Sequence, residues 1–261
     1  MGGDRGFLSR NFSAPLRLCV TLFFLTPLAG SAQTAHDILQ KADEKMRGTT
    51  SAISEMTITI VRPKWSREMT LKSWSKGEEL SLSVVRSPAK EKGVAFLKRH
   101  REIWNWMPSI ERTIKLPPSM MMQSWMGTDF TNDDLVRESS MLNDYTYRIV
   151  GDSTIDGRDC HKIRLDPKPD APVVWGMLMA FIDKKDFIQL RSEMYDEDGY
   201  LINIMTSSDI KEMGGKLLAA KMEMIPVEKE GHRTMMEFTA LEFDTPLDDS
   251  FFSTSNMKRI K

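Results

Sequence analysis

From Met56 onward the apolar residues of this chain recur at every second position, and no other feature constrains its fold as strongly. Met56-Ile58-Ile60, Met69-Leu71, Leu80-Leu82-Val84 and Val94-Phe96 each alternate with polar or charged residues, as in strands with one buried face. After a break at 117–140 the pattern resumes, predicting strands near 145–151, 160–165, 173–182, 188–195, 200–210, 217–226 and 234–243. Turn signals such as Asp156-Gly157, Asp198-Gly199, Gly214-Gly215 and Glu230-Gly231 separate them. Short consecutive strands with tight turns predict an antiparallel meander of about eleven strands. One amphipathic helix precedes the strands over 35–46, with Ile38, Leu39, Ala42 and Met46 at helical spacing, Thr34 as N-cap and Gly48 past its end. A second short helix is expected over 132–138, with Thr131 or Asn132 as its cap.

Two strands carry more information than the rest. Over 173–182 the bulky Trp175, Met177, Met179 and Phe181 share one face, opposite Gly176, Leu178 and Ala180. On the next-but-two strand Leu218, Ala220, Met222 and Met224 share a face, with Lys221 and Glu223 on the other. A sheet with one apolar and one wet face has to curl or be covered, because a flat one exposes too large an apolar patch. The expected fold class is therefore α+β: an open, incomplete antiparallel β-barrel with a helical lid around an apolar cavity. Twenty methionines, mostly on strand or loop positions, suit a cavity wall that repacks around ligands of different shape.

Residues 1–32 read as a separate unit. Arg5, Arg10 and Arg17 flank a short apolar run from Leu18 to Gly30, and small residues end it at Gly30 and Ala32, the pattern of a cleavable secretory signal peptide. The run is shorter than the ~20 residues of a spanning helix and contains Pro27. Residues 33–261 then form one domain, expected in the periplasm as a monomer, with 33 basic and 36 acidic residues and a net charge of −3. That balance lacks the basic excess of a nucleic-acid binder. Within 33–261 Cys160 is the sole cysteine, so no internal disulfide is expected.

Chemistry-bearing residues do not gather in the sequence. His36, His100, His161 and His232 are scattered without metal-ligand spacing, and neither a Gly-x-Ser-x-Gly elbow nor a phosphate-cradling glycine loop occurs. Cys160-His161 is the one adjacent nucleophile and base, and neighbours on a strand point to opposite faces. The reading is of a non-enzymatic protein with no catalytic residue, metal ligand or cofactor.

The segment 103–135 reads as a surface for apolar ligands. Trp104 and Trp106 fall on one face of a strand, Pro117-Pro118 breaks it, and Met120, Met121, Met122, Trp125, Met126 and Phe130 follow on what is expected to be a helical turn or mobile flap. The same pattern also suits a core plug under a loop. The order Trp104-x-Trp106-x-Pro108, then Arg112 and Ile114, then Trp125-Met126-Gly127-Thr128-Asp129-Phe130-Thr131 and Asp133-Asp134-Leu135 resembles the LolA-like outer-membrane lipoprotein-sorting family. The chain departs from that family at Trp106 and Trp125, where Tyr and Phe are usual, and in the run Pro117–Met122.

The resemblance implies a periplasmic carrier whose cavity holds the acyl chains of a lipoprotein or another envelope lipid. Its partners would be that acylated cargo, an inner-membrane exporter of ABC or resistance-nodulation-division type, and an outer-membrane acceptor. The lipid-binding residues expected are Trp104, Trp106, Met120, Met121, Met122, Trp125, Met126, Phe130, Trp175, Met177, Met179, Phe181, Met222 and Met224. Three other roles stay open at this point: a lipid-binding accessory of an exporter, an envelope-stress sensor of lipoproteins, and a lipid-modifying enzyme.

Overall fold

The computed structural model describes residues 1–3, 34–48, 50–100, 102–137 and 141–260. The expected signal segment, apart from residues 1–3, lies outside the described residues. Helix α1 spans Ala35–Arg47, and Thr34 closes a capping box in which its hydroxyl accepts from the Asp37 N–H while the Asp37 carboxylate accepts from the Thr34 N–H. Such a cap stabilises a helix start by roughly 0.5–2 kcal/mol. Gly48 ends the helix at φ 77°, and a Cβ there would sit 2.7 Å from the Ser51 carbonyl oxygen. A larger residue at that corner would displace the helix from the strand that follows.

Thirteen strands then form one antiparallel sheet. The first six are β1 (Ser51–Arg62), β2 (Trp65–Lys76), β3 (Leu80–Ser87), β4 (Ala95–Arg99), β5 (Glu102–Met107) and β6 (Arg112–Lys115). The other seven are β7 (Tyr145–Ile155), β8 (Arg158–Pro167), β9 (Met177–Asp183), β10 (Gln189–Tyr195), β11 (Leu201–Met213), β12 (Lys216–Pro226) and β13 (Arg233–Phe243). The spatial order is β6-β5-β4-β3-β2-β1-β13-β12-β11-β10-β9-β8-β7, two meanders joined where β1 pairs with β13. Edges β6 and β7 do not pair, so the barrel stays open. The expected class holds, with thirteen strands rather than about eleven. The predicted strand 173–182 begins only at Met177, and the predicted helix 132–138 is a single π-type turn over Asp133–Arg137.

The concave face wraps α1 and the segment between β6 and β7. Ile38, Leu39 and Ala42 of α1 are buried against Ile58, Ile60, Met69, Leu71, Ile163, Leu165, Leu218 and Met236, with Met121, Trp125 and Phe130 of that segment closing the same cluster. Burying side chains such as Ile38 and Leu39 stabilises the fold by roughly 1.5–3 kcal/mol each. The convex face is also covered. Over β2–β5 it carries Trp74, Leu80, Leu82, Val84, Ala95 and Leu97, and the C-terminal segment packs Phe252 and Met257 upon them. This segment ends in the short helix α2 (Thr254–Met257). Over β8–β12 a third cluster joins Cys160, Met179, Phe181, Ile188, Leu190 and Ala219, with Lys162 and Arg191 lying over the Phe181 ring.

Candidate ligand cavity

Between the concave sheet face, α1 and the β6–β7 segment lies a cavity of about 370 Å³, within the ~300–1,000 Å³ usual for small-molecule sites. Its first wall comes from β1, β2 and β4 through Met56, Ile58, Leu71 and Phe96. The opposite wall comes from β10–β13 through Met194, Met205, Met222, Met224, Met236 and Phe238. Ala42 and Met46 of α1 cover it from one side, and Trp125, Phe130, Leu135 and Met141 from another. Eight of the described methionines line it, counting Met46, Met56, Met141, Met194, Met205, Met222, Met224 and Met236. Unbranched thioether side chains form a wall that re-forms at low cost around different apolar shapes.

Five of the residues anticipated as lipid contacts line this cavity: Trp125, Phe130, Trp175, Met222 and Met224. Met121 is buried in the main core, Met120 and Met126 are half-buried, and Met122 is 64 % exposed. Trp104 and Trp106 pack on the convex side against the cluster that contains Phe252 and Met257. Met177, Met179 and Phe181 belong to the other convex cluster, with Cys160. The alternation on β9 is as the sequence predicts, but Leu178, Ala180 and Ile182 are the residues turned to the main core. Trp175 escapes the parity of β9 because it precedes the strand. Gly176 lies so close to the 196–197 backbone that a Cβ would be 2.3 Å from the Asp196 carbonyl oxygen, and its N–H donates to the Tyr195 carbonyl at 2.9 Å. That tight passage turns the indole into the cavity.

The β6–β7 segment is fastened rather than loose. Trp125 N–H donates to the Phe130 carbonyl at 2.9 Å, and Ser124 bridges to Thr131. Arg62 of β1 donates to Asp129 at 2.9 Å and to the Gly127 carbonyl at 2.9 Å, while Arg67 of β2 donates to the Met126 carbonyl. Asp129 accepts from the Thr234 hydroxyl at 2.7 Å, and its own N–H donates back to that oxygen at 2.9 Å. The phrase Gly127-Thr128-Asp129-Phe130 thus docks Trp125 and Phe130 over the cavity through polar ties to three central strands. The ring of Trp125 lies 5.2 Å from that of Phe96.

The polar part of the lining has no counterpart among the anticipated residues. Ser54, Ser73, Ser75, Ser81 and Ser83 on β1–β3 and Ser192 and Ser207 on β10–β11 all face the cavity. Their only sequence signal is spacing: Ser73-x-Ser75 and Ser81-x-Ser83 on adjacent strands, which reads as a solvent-facing side when the opposite side is Trp74, Leu80 and Leu82. Asp134 also lines the cavity, accepting from Trp175 Nε1 at 3.1 Å and from the Thr131 N–H at 2.8 Å. Burial pushes its carboxyl above the ordinary range, against the pull of the hydrogen bonds from Thr131 and Trp175.

Cys160 and His161 lie outside this arrangement. Cys160 is fully buried in the convex cluster, and burial, with the nearby Asp183 charge, pushes its thiol up. Burial and Lys184 push His161 down, with Asp152 at 3.8 Å opposing them. Among the described residues no three His, Cys, Asp or Glu side chains gather as a metal site.

A family model described as "Uncharacterized protein" matches residues 77–259. No curated protein matches the chain. Among solved structures, a DUF1329 family protein from Desulfovibrio piger is similar at a TM-score of 0.78 and 22% identity, over 85% of this chain and 97% of that one. A LolA superfamily protein from Nitrosomonas europaea is similar at 0.75 and 23%, over 86% and 100% of the two chains. An outer membrane lipoprotein-sorting protein domain from Vibrio parahaemolyticus is similar at 0.75 and 23%, over 86% and 98%.

Proposed function

We propose a function from one premise: the chain belongs to the family whose model spans residues 77–259, and its fold is LolA-like. On that footing the protein is a periplasmic carrier that holds acyl chains of a lipoprotein or other envelope lipid and moves them toward the outer membrane. The observation that supports this most is the methionine-rich cavity beneath a polar-latched cover, with Trp125, Phe130, Trp175, Met222 and Met224 as the cargo contacts. The name of the Vibrio parahaemolyticus domain supports the choice of a lipoprotein as cargo. The segment 1–32, read as a signal peptide, supports the compartment.

The energetics suit a carrier. Burying a sixteen-carbon chain gains about 12 kcal/mol gross at ~0.8 kcal/mol per methylene, and association costs of about 4–15 kcal/mol offset much of it. Binding is then reversible, which delivery requires. The test is native mass spectrometry of the protein isolated from its own periplasm, followed by lipid extraction. Acyl-lipid adducts are expected, and Met222→Trp, which fills the cavity, should lose them while staying folded. Protein free of adducts that also fails to take up an acyl probe would refute the carrier reading.

A further inference from the structure

Of the two acidic residues in the described lining, Asp43 comes from α1 and Asp134 from the segment that covers the cavity. Both oxygens of Asp134 are held, and from different elements. Oδ1 accepts from Trp175 Nε1 at 3.1 Å, ahead of β9, and Oδ2 accepts from the Thr131 N–H at 2.8 Å, within the cover. Pinned in this way, the carboxyl cannot swing out toward bulk water without giving up both bonds when something apolar enters beside it. Its companions in the wall are apolar: Trp175, Leu135, Trp125 and Phe130.

Among the described residues no opposite charge compensates it. Asp133 sits beside it in the turn, β4 brings Lys98 against that turn, and α1 places Asp43 and Lys45 in the same wall. The Lys45 ammonium is engaged with the Leu217 carbonyl at 3.2 Å. None of these charges moves the Asp134 carboxyl, which answers to burial first and to the hydrogen bonds from Thr131 and Trp175 after it. Without cargo, water entering the cavity is the medium left to solvate the ionised form. An acyl chain that fills the cavity replaces that medium by methylenes, and the charge loses solvation that no neighbouring cation restores. A neutral carboxyl loses far less.

We infer that filling of the cavity by an apolar chain is coupled to a proton on Asp134, the chain being held more tightly while that carboxyl is neutral than once it is ionised. This rests on the carrier reading and adds to it a condition for release: cargo is kept at lower pH and let go as pH rises. A carboxyl that the chain makes harder to ionise takes up part of a proton when the chain binds. By linkage the affinity then falls as pH rises through the titration.

The test is titration calorimetry with monolauroylglycerol, which is uncharged throughout and is used below its micellar concentration. Its affinity for the parent protein should fall about tenfold between about pH 4 and about pH 9. Midway in that fall, binding should take up a fraction of a proton, read from the heats in two buffers of different ionisation enthalpy. Asp134→Asn should hold the chain at the low-pH affinity throughout, with no uptake, whereas Asp43→Asn should keep the parent's fall. The uptake is read on the parent alone, so a variant that folds poorly does not shelter the inference. A flat affinity, an absence of uptake, a fall that persists in Asp134→Asn or one abolished in Asp43→Asn overturns the coupling while the carrier reading stands. If monolauroylglycerol binds at no pH, both are wrong.

Discussion

Trp175 Nε1 donates to Asp134 Oδ1 at 3.1 Å, tying the passage ahead of β9 to the helical turn that follows Phe130. Asp134 is a carboxyl whose proton is held more tightly in the folded protein than in the unfolded chain, because burial raises its pKa above the ordinary 3.8. Its sign is therefore opposite to that of Asp37, Asp152 and Asp186, which hydrogen bonds or ion pairs shift down. The contribution of Asp134 is fully present below the ordinary carboxylate value and is lost as pH rises through the raised one. Asp134→Asn removes this dependence alone. As pH rises from the ordinary carboxylate range through the raised pKa, the unfolding free energy of the variant should gain on that of the parent and then keep a constant lead. A pH-independent difference between the two would contradict the assignment.

The buried pair Arg62–Asp129 should be worth far more than the exposed pairs. The side chains are 10% and 5% exposed, and Asp129 also serves Thr234. Asp129→Ala leaves Arg62 buried without its counter-charge and should cost about 3–5 kcal/mol in urea unfolding. Lys72→Ala, which removes the exposed ion pair to Glu55, should cost under about 1 kcal/mol. Equal costs would mean that the latch is ornamental.

Met121 and Met122 are neighbours with opposite fates. Met121→Ala should cost about 2–5 kcal/mol, because that side chain is 4% exposed in the main core. Met122→Ala should stay within about 0.5 kcal/mol of the parent. Thermal unfolding of both variants separates a packed plug at 121 from a solvated residue at 122.

Cys160 should resist alkylation by iodoacetamide in the folded protein and react on unfolding, since it is fully buried and its thiol is shifted up. Cys160→Ala should lower stability by about 1 kcal/mol through a small cavity and leave uptake of an acyl probe intact. Fast labelling of the native thiol would place it outside the cluster with Met179 and Phe181.

Alternation reveals which residues share a face but not which face is inward, and this sheet is covered on both. On β2 the apolar pair Met69 and Leu71 lies on the concave face, whereas on β3 Leu80, Leu82 and Val84 lie on the convex one. Read as one repeating pattern, the two strands seem to present the same side, so Ser81 and Ser83 pass for solvent positions. Trp104 and Trp106 mislead for the same reason: Phe252 and Met257, which cover them, come from a C-terminal stretch with no strong period of its own. Local signals fared better where the physics is local. Thr34, Asp37 and Gly48 bound α1 through capping bonds a few residues long, and Trp125 and Phe130 reach the cavity because Gly127-Thr128-Asp129 folds back upon itself.

Strands β6 and β7 share no ladder, and the consequence is mechanical. A closed barrel of this size would widen only by breaking main-chain hydrogen bonds in cooperative rows. Here the wall has a seam, so spreading it breaks no such row, and the resistance comes from the apolar packing of Met121, Trp125 and Phe130 and from separate side-chain fastenings such as Trp175 to Asp134. A neutral fastening is worth about 1 kcal/mol, whereas breaking the buried Arg62–Asp129 pair costs about 3–5 kcal/mol. Substitutions at a fastening outside the lining, such as Arg62 to Asp129, therefore tune how readily the wall yields without touching the cavity lining.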